Sequence, residues 1–193
     1  MAIALEQTQY LTYEEYLAEG EVMKRYDILD GVRHFMTNPT GLHQKTLGNI
    51  YILLIRYQRE SGAGEALIAP CDVLIRRTPL RTRQPDVLFI SNERLAECKE
   101  ETDPAPLLAA PELVVEILST SENKRRVGEK LADYRLVGVQ ECWLVRTEEK
   151  SVEVLRLTKE GFESAGTYAA QESFQSLALA NWSVNVSEIF DEE

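Results

Sequence analysis

The chain has 193 residues, 44% of them apolar and 27% charged, enough for one domain with a sizeable core and too few for two full ones. Its formal net charge of -11 argues against a protein that grips nucleic acid by broad contact with phosphates; such a partner would have to be held by local positive patches or by metal. No apolar run approaches the roughly 20 residues of a membrane helix. Residues 1–17 show no basic stretch ahead of an apolar one, so a cytoplasmic location with no membrane association is expected. Cys71, Cys98 and Cys142 are odd in number and far apart, which speaks against a disulfide framework and a cysteine zinc site. Cys142, inside the apolar run Glu141-Cys-Trp-Leu-Val145, reads as a packed core thiol in a reducing compartment.

In chain order, Thr12-Tyr-Glu-Glu-Tyr-Leu17 predicts a short helix with Thr12 as N-cap and Glu15 completing a capping box. Residues 26–31 and 32–36 predict two short strands around the Asp30-Gly31 turn. Asn38-Pro-Thr-Gly41 breaks the chain ahead of a long helix over about 43–60, in which Leu47, Ile50, Leu54 and Tyr57 recur at helical spacing and Ser61-Gly62 forms the stop. Strand patterns follow at 65–69, 72–75, 86–90 and 113–118, with the polar, proline-bearing stretch 91–111 expected as a surface excursion with room for some helix. A second helix is expected from a cap at Ser121 or Asn123 to about Val137, ended by Gly138. Residues 141–145 and 152–157 predict a hairpin across Glu148-Glu149-Lys150, followed by a weaker strand at 162–168 and a last short segment at 186–190. The order implies a single α/β domain with a mixed sheet flanked by helices, its core at about 12–157 and a C-terminal extension at about 158–193.

Two carboxylates stand out. Alternation puts Asp86 on the face of Leu88 and Ile90, and Glu116 on the face of Val114 and Leu118. A carboxylate among aliphatics needs a cation or a proton, and two side by side repel each other unless a Mg²⁺ or Mn²⁺ ion joins them. The plainer alternative is that each pairs with a lysine or arginine, or ends its strand in solvent. Lys130 flanks the apolar face of Val127, Leu131 and Tyr134 and can deliver its ammonium to a phosphate, or else pair with Glu129 or Asp133. His34 lies mid-strand and reads as structural, whereas His43 opens a helix, where an imidazole can contact substrate or shuttle a proton, or else be a plain residue of the first helical turn. Arg76, Arg77, Arg81 and Arg83 crowd the segment before Asp86, and Lys124, Arg125 and Arg126 follow Glu116. If the two carboxylates are neighbours, these clusters are expected to converge as an electropositive rim for a phosphodiester; otherwise they are solvated loop charges. No GxSxG, HExxH or Walker loop is present.

Taken together, Tyr26-Asp-Ile-Leu-Asp-Gly31, His43, Gln84-Pro-Asp86, Glu112-Leu-Val-Val-Glu-Ile-Leu-Ser119, Lys130, Tyr134 and Glu141-Cys-Trp-Leu-Val145 resemble the Uma family of restriction endonuclease-like proteins, within the PD-(D/E)XK nuclease superfamily. The resemblance implies a restriction-endonuclease-like core and a Mg²⁺-dependent endonuclease acting on nucleic acid, DNA foremost, as a homodimer. It also implies that Asp86, Glu116 and the carbonyl of Ile117 hold the metal. The motif's lysine is displaced: Leu118 stands two residues after Glu116, and Lys130 on the following helix matches it instead. The family tends to carry Glu where this chain has Asp27 and an acidic residue where it has Arg126. Asp27 keeps an outer or second-metal carboxylate with shorter reach, and Arg126 reverses a charge near the site. A catalytically degenerate fold that only binds DNA or a protein partner is the alternative.

Overall fold

The computed structural model describes residues 10–20, 22, 24–98, 106–119 and 124–191. It opens with α1 (Tyr13–Ala18), where Thr12 accepts from the Glu15 amide and the Glu15 carboxylate accepts from the Thr12 amide, the reciprocal box expected. The hairpin of β1 (Tyr26–Leu29) and β2 (Val32–Phe35) turns through Asp30 at φ 54° and Gly31 at φ 84°. Two consecutive positive φ values give the type I′ geometry whose twist suits a two-residue hairpin. Thr40 caps α2 (Gly41–Ser61), which begins two residues earlier than predicted, and Gly62 ends it at φ 62°. Leu47, Ile50, Leu53, Leu54 and Tyr57 form its buried stripe.

The middle of the chain supplies β3 (Gly64–Ile68), β4 (Val73–Arg76), β5 (Arg81–Arg83), β6 (Val87–Ser91), α3 (Asn92–Cys98), β7 (Leu113–Leu118), α4 (Lys124–Val137), β8 (Glu141–Arg146) and β9 (Ser151–Leu157). After them come β10 (Phe162–Ala169), β11 (Ser173–Gln175), β12 (Ser183–Asn185) and α5 (Val186–Ile189). The main sheet has the order β10-β9-β8-β7-β6-β3, with β7 and β8 parallel and the other pairs antiparallel. A second sheet, β2-β1-β5-β4, stands beside it, and β11 pairs with β12. The fold is the α/β arrangement expected, a mixed sheet flanked by helices.

Alternation divides the main sheet's side chains between two apolar layers. Val87, Phe89, Val115, Ile117, Trp143 and Val145 pack under α2, together with Phe174, Leu179, Val184 and Ile189 from the C-terminal segment. Leu88, Ile90, Val114, Cys142 and Leu144 pack on the other face against Tyr134 of α4. Cys142 is fully buried there, the core thiol expected.

The short and irregular segments depart from the expectation in places. Within residues 91–111, 92–98 form the surface helix α3, in keeping with a partly helical excursion, but Leu107 bridges to Val73 of β4 and Ala109 is buried. β5, β11 and β12 went unpredicted, because three-residue strands of Arg-Thr-Arg or Ser-Phe-Gln carry too little pattern and exist through their partners. The caps proposed at Ser121 and Asn123 lie outside the described residues.

Candidate active site

β6 pairs with β7 through Val87↔Val115, and one step further along that antiparallel register Asp86 falls beside Glu116. Neither carboxylate is in solvent, Asp86 being 3% and Glu116 2% exposed. Oδ2 of Asp86 accepts the Ile117 amide at 2.7 Å; Oδ1 accepts from Arg25 Nη1 at 2.7 Å and lies 3.3 Å from His43 Nε2. Burial pushes the Asp86 carboxyl up, but the His43 hydrogen bond, the Arg25 charge and the Ile117 amide outweigh it, and the net direction is below the usual carboxylate value. Glu116 moves the other way. Oε2 accepts from Lys130 Nζ at 2.6 Å and Oε1 from the Tyr134 hydroxyl, yet burial and the Asp86 charge leave this carboxyl raised. Lys130 and Tyr134 reach it together because they are one helical turn apart on α4.

Asp86, Glu116, Ile117, Lys130, His43 and Asp27 all line one cleft of about 880 Å³, bounded by the β1–β2 hairpin, the start of α2 and α4. Asp27 is also held on both oxygens. Its Oδ2 accepts from Arg83 Nη1 at 2.7 Å and its Oδ1 from the Gln84 amide at 3.1 Å. Arg83 also donates to Asp133 at 2.6 Å, and Arg81 donates to the same carboxylate at 2.7 Å, so β1, β5 and α4 are joined through charge.

That network corrects the expected basic rim. Arg76 and Arg81 reach Asp30, Arg83 is buried between two aspartates, and Arg77 lies over the Tyr13 ring. Lys124 lines a separate pocket and Arg125 pairs with Glu129, so of the seven only Arg83 and Arg126 line the cleft. Linear crowding of charge was misleading for Arg76, Arg81 and Arg83 because acids far along the chain, exposed Asp30 and buried Asp27 and Asp133, meet them. Two cleft cations were missed: Arg25, on Asp86, and Arg33, whose guanidinium covers the Tyr26 ring and reaches Glu19. Their partners are not local in sequence, so no spacing signals them. His34 is exposed at the cleft.

Among the described residues no three His, Cys, Asp or Glu side chains gather as a metal-binding group. The pair itself is a hard-oxygen donor set, and the part of Glu116's upward shift that comes from Asp86 is the repulsion a divalent cation relieves. Two carboxylates with solvent and phosphate oxygens are an ordinary environment for Mg²⁺, so the residues fit that ion.

Nearby, Asp72 accepts from the hydroxyls of Tyr16 at 2.8 Å and Tyr26 at 3.3 Å, and burial outweighs these bonds to raise its carboxyl. A carboxyl raised in the folded state holds its proton more tightly than in the unfolded chain, so it lowers stability as pH climbs above the unfolded value of about 3.9. Asp72→Asn keeps an acceptor for the tyrosines without that penalty. Its melting temperature relative to the parent should be higher at pH 7 than at pH 4, and the reverse trend would refute the assignment.

The Uma2 family model, described as "Putative restriction endonuclease", matches residues 9–187. Among solved structures, a crystal structure described as "a putative nuclease belonging to DUF820" from Anabaena variabilis aligns with a TM-score of 0.73. The alignment covers 93% of this chain and 97% of that one at 16% identity, a likeness of fold. No curated protein matches. No helix among the described residues is long and apolar enough to cross a membrane. With a family model spanning nearly its whole length, the chain belongs to the Uma2 family of the PD-(D/E)XK nuclease superfamily.

Proposed function

We propose that the cleft receives a nucleic-acid phosphodiester, DNA foremost, and that the protein is an endonuclease using Mg²⁺, with Mn²⁺ as a substitute. The observation that carries this reading is the pair of buried carboxylates on adjacent strands, opening on one cleft with Lys130 on one of them. Asp86, Glu116 and the Ile117 carbonyl would hold the ion, and bound Mg²⁺ supplies Lewis-acid stabilisation and a more acidic water. The Ile117 amide fixes the Asp86 carboxylate, and Tyr134 fixes Glu116. Lys130 offers its ammonium to charge growing on a phosphate oxygen. His43, with Nε2 toward Asp86 and a buried, unpartnered Nδ1, is placed to carry a proton or contact the substrate. Cutting both strands of a duplex calls for two such sites, so a homodimer belongs to this reading.

A second reading, a degenerate nuclease fold that binds DNA or a protein without cutting, is favoured by a specific observation. Each carboxylate already has a protein cation within 2.7 Å, a self-contained balance that suits a binding module better than an open metal site. Incubating supercoiled plasmid with parent protein and with Asp86→Asn, with and without Mg²⁺ or Mn²⁺, separates the two. An enzyme nicks or linearises the plasmid only with metal, and the substitution slows it roughly 10²–10³-fold, the usual effect of losing one electrostatic group. Plasmid left intact by the parent under all conditions, with DNA binding retained, establishes the module.

A further inference from the structure

Arg25 has no assigned role, yet it holds the most exposed claim on the carboxylate pair. Its Nη1 donates to Asp86 Oδ1 at 2.7 Å, its Nη2 donates to the Gln84 carbonyl at 3.0 Å, and its Nε is buried without a partner. Since Asp86 Oδ2 is taken by the Ile117 amide, Oδ1 is the oxygen not tied to the backbone. A divalent cation that joins Asp86 to Glu116 through this oxygen competes with Arg25, and with His43 Nε2 at 3.3 Å, for Oδ1. Charge counting sharpens the conflict. The two carboxylates are balanced by Arg25 and Lys130, so a bound dication leaves an excess of two positive charges in a poorly solvated cleft. A phosphodiester removes part of that excess and offers acceptors to a displaced guanidinium.

We propose that Arg25 is a phosphate clamp released by metal: it yields Asp86 Oδ1 to the cation, stays tethered through Nη2 on the Gln84 carbonyl, and turns Nη1 to a non-bridging phosphate oxygen. The proposal rests on the phosphodiester reading of the cleft. It makes metal and nucleic acid bind cooperatively through one side chain, because each favours the same displaced position of Arg25.

The test is calorimetric titration of Mn²⁺ into the parent and Arg25→Gln, alone and with a short phosphorothioate DNA duplex that resists cleavage. Arg25→Gln should bind Mn²⁺ alone about tenfold more tightly than the parent, within the usual range of coupling between sites, and should lose the tightening that DNA brings to the parent. Equal or weaker Mn²⁺ binding by Arg25→Gln, with binding by the parent intact, overturns the clamp and leaves the site reading standing. No Mn²⁺ binding by either protein, with or without DNA, overturns both. Should Arg25→Gln fail to fold, the parent's arginine side-chain resonance that disappears in Arg25→Lys decides the matter. That resonance must shift on Mg²⁺ addition in the presence of DNA, and a resonance that stays in place overturns the clamp.

Discussion

Arg83→Met should lower stability by about 3–5 kcal/mol, the usual loss when one partner of a buried ion pair is removed. Arg83 is 4% exposed and lies between Asp27 and Asp133, each 7% exposed. Methionine fills much of the volume but, among the described residues, leaves Asp27 with only the Gln84 amide and Asp133 with only Arg81. At roughly 2–4 °C per kcal/mol for a chain of this size, melting should fall by roughly 6–20 °C. The cause can be isolated with a second substitution. Asp27→Asn in the Arg83→Met background should recover part of the loss, because it removes the charge that methionine strands; no recovery would place the damage in packing. Cleft function should suffer beyond stability, since Asp133 sits one residue before Tyr134 on the helix that brings Lys130 and Tyr134 to Glu116.

Glu141→Ala should be comparably severe for a different reason. The Glu141 side chain is fully buried, and its carboxylate accepts four hydrogen bonds. They come from Trp143 Nε1 at 2.5 Å, Ser176 Oγ at 3.0 Å, and the amides of Leu177 at 2.5 Å and Ala178 at 2.6 Å. Three of the donors belong to the loop between β11 and β12, which this one side chain fastens to the end of β8. Alanine strands all of them, and at about 1–3 kcal/mol for each buried unsatisfied group a loss of at least 3 kcal/mol is expected in chemical denaturation. Glu141→Gln retains one acceptor oxygen but turns an amide group toward donors, so it should fall between parent and alanine. A loss below 1 kcal/mol for the alanine variant would mean that water replaces the carboxylate and that the loop is not held there.

How far these features could be read from the sequence depends on how local they are. The capping box at Thr12, the Asp30-Gly31 turn and the stripe of α2 are set by residues within a few positions of each other, and all were legible. The faces of Asp86 and Glu116 were legible too, since alternation is a local property. Their adjacency was conditional until the β6–β7 register placed them side by side. Lys130 could be found because Tyr134 shares its helix face. Arg25 could not, because its partner lies 61 positions away. The arginines before Asp86 misled for the same reason. Arg83 meets its aspartates 50 and 56 positions off in each direction, and no window along the chain shows a charge cluster being neutralised from outside it.

The bond from the Ile117 amide to Asp86 gives β7 an unusual member. Most amides of a central strand are held by the backbone of a neighbour and exchange with solvent only when the ladder parts. Ile117 is held by a side chain, beyond the last residue pair of β6 and β7. Its hydrogen is therefore released whenever the Asp86 carboxylate reorients, with the sheet intact around it. Deuterium uptake at this one amide would act as a native spectator of the cleft, registering events at the carboxylate without a label, a substrate or a measurable reaction.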